Sequence, residues 1–261
     1  KHSLFLLPGN HTYQLSNTQG DRPVRLMHTN YLPMAMSAIA DPRFYFQNSY
    51  DPPETVDFYS EAKVITQEGQ GSRVGSTRSL WSGNFFPDMR VWDQLDPLTS
   101  RGAGGRAVMI DFPGSELTCH MSVIPALRYK KAHRHGPGAH VIIVSGTGYS
   151  LLWPQDGGPH DRMERVNWGV GAMVVPPNDW FHQHFNGGTE PARYLAFRWN
   201  SQQFRFPLGS PMEGEMDVSV KQGGTQIEYE DEDPLIHQWF VETLNKVGAQ
   251  SRMDEFITPT R

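Results

Sequence analysis

The sequence predicts an all-β fold of the sandwich or barrel type, followed by a single C-terminal helix. Three observations predict it. The 261 residues include 25 glycines and 20 prolines, more turn-forming residues than a helical bundle tolerates. Between Ala107 and Trp199, short apolar runs at 141–144, 149–153, 172–175 and 193–199 alternate with Gly, Pro, Asn and Asp, the rhythm of strands joined by tight turns. Helical spacing is clear near the C-terminus. The 38% hydrophobic content supplies a sizeable core and excludes intrinsic disorder.

Residues 1–30 carry one half of an internal repeat. Pro8, Gln14 and Asn17 match Pro177, Gln183 and Asn186; after one extra residue in the first copy, Pro23 and Arg25 match Pro191 and Arg193. Duplication predicts strands here. Two unrelated hairpins that share turn residues are the alternative, because turns reuse Gly, Pro and Asn for steric reasons. Residues 31–105 read as a connector wrapping the core, with a helical hint at 34–40. Residues 106–210 hold the strand rhythm. Residues 211–261 are acidic, with 11 Asp and Glu against 4 Lys and Arg. Within them the spacing predicts a helix over 234–247: Asp233 as N-cap, Pro234 in the first turn, and Leu235, Ile236, Trp239, Phe240, Leu244 and Val247 recurring until Gly248.

A net charge of −5 argues against general nucleic-acid binding, which needs a basic surface. Cys119 is the lone cysteine, so no internal disulfide forms, and a reducing, cytoplasmic compartment is expected. No apolar run approaches the roughly 20 residues of a membrane span. The chain starts at Lys1 rather than Met, so either an upstream piece or a partner chain in a homo-oligomer is expected to complete the strands of residues 1–30.

Chemistry concentrates in histidine. Seven of the 11 histidines fall between His120 and His184, and neutral imidazole is the commonest protein ligand for transition metals. In Ala132-His133-Arg134-His135 the two histidines share one side of an extended strand and Arg134 takes the other. His182-Gln183-His184 is a second such pair after the turn at Pro177. A single strand histidine is usually structural; two pairs, each near glycine-bounded turns, point to a metal.

These residues resemble the cupin superfamily. Gly171, Pro177, His182 and Asn186 match its second motif, G-x5-P-x-G-x2-H-x3-N, with Asp179 in the place of the motif's inner glycine. His133, His135 and Gly146 match its first, G-x5-H-x-H-x3,4-E-x6-G, where Leu127 replaces the leading glycine and His140 stands near the glutamate's place. The run His133-Arg134-His135 with Gly146 eleven residues on, together with Phe181-His182-Gln183-His184-Phe185-Asn186, is similar to the bicupin gentisate and hydroxynaphthoate dioxygenases. The resemblance implies a jelly-roll (double-stranded β-helix) cupin at 106–210, with 1–30 as the remnant of a degenerate first cupin that binds no metal, since Tyr13 and Leu15 replace His182 and His184. It implies His133, His135 and His182 as metal ligands, with His140 as a fourth candidate and His184 beside the substrate. His160 is expected in solvent.

Three neutral imidazoles leave a divalent charge uncompensated, so a small anionic chelating substrate is expected. Arg134, Arg198, Arg128 and Lys130 are the candidate cations for its carboxylate, and alternation favours Arg198. The resulting expectation is a mononuclear non-heme Fe(II) dioxygenase, an oxidoreductase using dioxygen on an aromatic or related hydroxy acid, with His184 and Arg198 as catalytic residues. A cupin lyase, decarboxylase or isomerase using Mn, Ni, Zn or Cu is the first rival. A non-catalytic ligand-binding cupin is the second.

Overall fold

The computed structural model describes residues 2–7, 13–47, 63–68, 77–113, 115, 117–136, 139–199 and 217–257. In chain order these form β1 (Leu4–Phe5), α1 (Leu32–Ala38), α2 (Pro42–Phe46), β2 (Lys63–Glu68), β3 (Thr77–Ser82), β4 (Phe85–Phe86), β5 (Asp96–Pro97), β6 (Arg106–Asp111), β7 (Leu117–Ile124) and β8 (Ala132–His133). The remainder are β9 (His140–Ser145), β10 (Gly148–Trp153), β11 (Glu164–Trp168), β12 (Met173–Val174), β13 (Phe181–Asn186), β14 (Ala192–Trp199), β15 (Gln226–Ile227) and α3 (Pro234–Asn245).

Among the described residues, two large sheets face each other without closing into a barrel. One runs β12-β9-β14-β7-β6-β3-β2, with β5 at the side of β6; the other runs β11-β10-β13-β8-β15. Pairing is antiparallel except between β3 and β6. This double-sheet jelly-roll arrangement, with a helix at the C-terminal end, is the all-β architecture the sequence predicts, as a sandwich rather than a barrel.

Side-chain alternation divides the interior into three layers. On β14, Tyr194 and Ala196 face the opposing sheet and pack with Val141, Ile143 and Trp168. Leu195 and Phe197 point the other way, onto Trp81, Phe86, Val108 and Ile110. The outer face of the second sheet buries Tyr149, Leu151, Phe181 and Phe185 under Ile236, Phe240 and Leu244 of α3. Each of those three helix residues contributes roughly 1.5–3 kcal/mol by burial. The Asp233 carboxylate caps α3 by accepting from the Leu235 amide. The helix stops at Asn245, two residues before the predicted end, because Val247 and Gly248 donate to carbonyls three residues back in a tightened last turn.

Two expectations need correction. Residues 31–105 are not only a connector: β2 and β3 extend the larger sheet, and β1 with β4 covers its outer face. In Thr77–Ser82 only Leu80 and Trp81 are apolar, too few to announce a strand. The helical hint is α1, displaced by two residues with Pro33 in its first turn.

Residues 13–30 form no strand, and Tyr13 and Leu15 are about half exposed, at 49% and 48%. A second sandwich is therefore absent among the described residues; Pro8 lies outside them, as do residues 200–216 of the last two predicted segments. What repeats is the turn. The Asn17 amide accepts from the Gln19 N–H and donates to the Arg22 carbonyl. Likewise the Asn186 amide accepts from the Gly188 N–H and donates to the Glu190 carbonyl. The first copy has the one extra residue that the alignment requires. The likeness of the two segments thus lies in the capping of the turn and not in the sheet.

Four positions that the sequence comparison aligns with glycines share a left-handed backbone. Gly146 and Gly171 lie at φ 86° and 84°, and Leu127 and Asp179, which replace the other two glycines, lie at φ 59° and 61°. At Gly146 a Cβ would meet the Ala192 Cα at 2.6 Å, so the residue is set by contact as well as by φ. Leu127 tolerates the left-handed region at a cost of about 1 kcal/mol, offset by burial in the helix-covered layer.

Candidate metal centre

The site forms where the inner faces of β8 and β13 meet. His133 and His182 are direct cross-strand partners, and Gln226 of β15 pairs with His133 on its other side. His135, just past β8, completes the group. Its loop is held against the β13 turn by the Asp179 N–H donating to the His135 carbonyl at 3.2 Å. All three histidines are buried, and their nearest ring nitrogens lie within 4.8 Å of one another. Ring centroids are 4.3 Å apart for His133 and His182 and 4.8 Å for His135 and His182.

Hydrogen bonds orient each ring. A carbonyl only accepts, so His133 Nδ1 donates to the Lys131 carbonyl at 3.3 Å, and His182 Nδ1 donates to the Trp180 carbonyl at 3.1 Å. A guanidinium only donates, so Arg198 donates to His135 Nε2 at 3.2 Å. His133 and His182 therefore carry their proton on Nδ1 and keep the Nε2 lone pair for a ligand, the tautomer a metal requires, whereas the His135 Nε2 lone pair accepts from Arg198. Burial keeps His133 and His182 neutral. His133 is held well below the usual histidine range by desolvation and the Arg101 cation, and His182 is pushed down to about 4 by desolvation, with Arg101 and Arg198 adding to the effect.

His184 has the opposite orientation. Trp168 Nε1 donates to Ser150 Oγ at 3.0 Å, and Ser150 Oγ lies 2.7 Å from His184 Nδ1. The buried Ser150 hydroxyl proton has His184 Nδ1 as its acceptor, which leaves His184 with its proton on Nε2. It is a donor beside the three ligand candidates rather than a fourth ligand.

His140 is exposed on β9, where alternation turns it away from the inner face occupied by Val141 and Ile143. The fourth-ligand expectation is thereby corrected. His160 is exposed and contacts the Asp233 cap at 3.0 Å. Of the four cations, Arg198 and Lys130 point inward. Arg134 points outward to Asp179 and the Phe181 ring, and Arg128 reaches Glu255 and Phe256.

Sequence reasoning missed several site residues. Arg101, 7% exposed, bonds Gln226 and Asp217 and brings a second cation to the histidines. It comes from the predicted connector, and no local pattern marks it. Ser150, Gln226 and Ser122 are likewise ordinary strand residues placed by register alone.

No family model matches the chain, and no curated protein matches it. Among solved structures, oxalate decarboxylase from Bacillus subtilis at pH 4.6 is similar, with 18% identity over 41% of this chain and 28% of that one and a TM-score of 0.35. A structure addressing the Mn(II) centres of the same enzyme matches at 19% identity over 43% and 30%, with TM-score 0.35. A third, on the substrate binding mode of oxalate decarboxylase, matches at 18% over 44% and 31%, again at 0.35. This chain thus spans less than a third of the length of each, and the likeness is partial.

Proposed function

We propose that this chain is a mononuclear divalent-metal enzyme acting on a small anionic substrate. The observation that carries the proposal is the convergence of three buried imidazoles, His133, His135 and His182, whose ligand nitrogens lie within 4.8 Å of one another, with Nδ1 of His133 and of His182 held by backbone carbonyls. A structural histidine cluster has no need for two matched tautomers beside a third imidazole. A divalent ion held there supplies a Lewis acid that polarises a chelated oxygen. The donor set is neutral, so the metal's charge favours an anion, and the inward cations Arg198, Arg101 and Lys130 add to that preference.

Between the chemistries left open by the sequence, this reading favours the lyase, decarboxylase or isomerase. The cations around the imidazoles stabilise negative charge developing on a carboxylate substrate, which such a reaction needs and an oxidant does not supply. His184, with its Nε2–H, donates to the substrate and orients it. The Fe(II) dioxygenase reading rests on the resemblance of residues 133–135 and 181–186.

Anaerobic purification, loading with Mn(II) or Fe(II), and assay against 2-oxo acids, hydroxybenzoates and hydroxynaphthoates under argon and air separate the readings. Turnover under argon supports the lyase or isomerase. Turnover only with oxygen uptake moves the assignment to the dioxygenase. Metal bound without turnover of any substrate supports the non-catalytic alternative.

A further inference from the structure

A second reactive cluster lies on the facing sheet. Lys130 Nζ donates to Ser122 Oγ at 2.5 Å and to Tyr194 Oη at 3.1 Å. Lys130, Ser122 and Tyr194 are 2%, 0% and 5% exposed. Among the described residues, Lys130 has no carboxylate partner, so a cation is buried against a hydroxyl and a phenol alone. A buried charge left unpaired is costly, and the two anions that could compensate it are a tyrosinate and a bound substrate. Ser122 and Tyr194 are direct cross-strand partners on β7 and β14. The β9 pairing slips by one residue beside Tyr194, between Arg193 and Tyr194, an irregularity of the kind that re-aims side chains at functional sites.

We propose that Tyr194 is a catalytic acid–base residue of the metal site, with its phenol activated by Lys130 and Ser122. The proposal rests on the metal-enzyme reading and deepens it toward carbonyl acids that gain or lose a proton at carbon. The Tyr194 ring lies 5.3 Å from that of His184, whose ring is 5.7 Å from that of His182. Tyr194 thus stands one residue beyond the ligand set, with Lys130 on its hydroxyl.

The step balances without an oxidant. The tyrosinate oxygen takes a proton from the carbon next to a carbonyl. That C–H electron pair becomes the C=C bond of an enolate, and the carbonyl π pair moves to oxygen. The phenol then returns its proton to carbon, at the same atom for exchange or at the neighbouring one for isomerisation. In a decarboxylation the phenol protonates the carbanion left when carbon dioxide departs.

The other described buried tyrosines behave differently. Burial pushes Tyr129, Tyr149 and Tyr229 up. Burial raises Tyr194 too, but the Lys130 ammonium and the hydrogen bonds from Ser122 and Lys130 outweigh it and bring the phenol below its ordinary value. The titratable and charged groups around it are Lys130 before β8, His120 on β7, His184 on β13, Arg198 on its own strand, and Arg101.

The test is a tyrosinate absorption titration of the metal-loaded full chain, wild type against Tyr194→Phe, Lys130→Gln and Ser122→Ala. One tyrosine is expected to ionise below the others, to vanish in Tyr194→Phe and to move up in Lys130→Gln. Tyr194→Phe should keep its metal and lose roughly 100-fold or more in kcat on whichever 2-oxo or hydroxy acid the wild type turns over. If Lys130→Gln does not fold, Ser122→Ala carries the same expectation with a smaller shift. A titration identical in wild type and Tyr194→Phe, or a normal kcat in Tyr194→Phe, overturns the proposal. Metal loss in His182→Ala is read separately and bears only on the metal-enzyme reading.

Discussion

His133 and His182 lie directly opposite each other across an antiparallel strand pair, and each donates its Nδ1 proton to the carbonyl two residues before it. The two strands therefore set ring position and tautomer by the same local device. Because the backbone supplies the orienting acceptors, side-chain truncation removes a ligand without undoing the sheet. His182→Ala or His133→Ala should abolish stoichiometric binding of Mn(II) or Fe(II), while His140→Ala retains it. Elemental analysis after dialysis checks this, and full occupancy in His182→Ala would sink the assignment.

The chain Trp168 to Ser150 to His184 makes a distinct prediction. Ser150→Ala removes the group that fixes the His184 tautomer, without touching a ligand candidate. Metal content should be unchanged in Ser150→Ala and His184→Ala, with turnover slowed about 100-fold in the latter and less in the former. If His184 only packs beside the site, both variants will turn over at the normal rate.

How far the sequence could be read follows from how locally each feature is encoded. The His133 and His135 pair and the Phe181–Asn186 strand were legible because two-residue alternation needs only adjacent residues. α3 was legible because its cap, proline and apolar stripe lie in one window. Arg101, Ser122 and Gln226 join the site only through pairings between strands distant in sequence, so their neighbours carry no trace of it. The repeat is legible only in part for a related reason: Asn17 and Asn186 share a turn, and a turn is encoded by a few residues whether or not strands flank it. At Leu127 and Asp179 the backbone takes a positive φ that the residue types do not announce.

Glu232 links α3 to the back of the metal-bearing strand. Its carboxyl accepts from Tyr129 Oη at 2.6 Å and from Gln183 Nε2 at 2.6 Å. Burial still raises it to about 7 against those hydrogen bonds. A raised carboxyl keeps its proton in the folded state at a pH where the unfolded chain has lost it. Stability from this group is therefore present near pH 4.5 and lost as pH rises toward 7, then constant. Thermal melts should show Glu232→Gln losing less stability than wild type between about pH 5 and about pH 8. Parallel pH profiles would refute the assignment.

Asn186 is fully buried at the end of β13, and its amide donates to the carbonyls of Ile124, Pro125 and Glu190. Asn186→Ala leaves these acceptors and the Gly188 N–H without that partner, at a cost of about 1–3 kcal/mol for each group that water cannot reach. Denaturant unfolding should show a loss of at least about 2 kcal/mol. A smaller loss would mean that water replaces the amide.

Arg198 is the last group to test, because it distinguishes a site built for an anion from one that merely holds a metal. Its guanidinium meets His135 Nε2 at 3.2 Å, while the Tyr31 hydroxyl donates to its backbone carbonyl at 3.4 Å. The side chain thus lies beside the ligand set, within reach of an anion chelated there. A hydrogen bond to a charged group is worth about 1.5–3 kcal/mol, which is roughly 10-fold to 150-fold in affinity. Oxalate, a small chelating dianion, is a suitable probe by calorimetry with the Mn(II)-loaded protein. Arg198→Gln should weaken oxalate within that range while metal content stays constant. Arg198→Lys should recover part of the loss, because it restores the charge but not the planar fork that meets a carboxylate with two parallel bonds. Equal oxalate affinity in wild type and Arg198→Gln would show that the metal alone holds the anion, leaving Arg101 and Lys130 as the cations to examine.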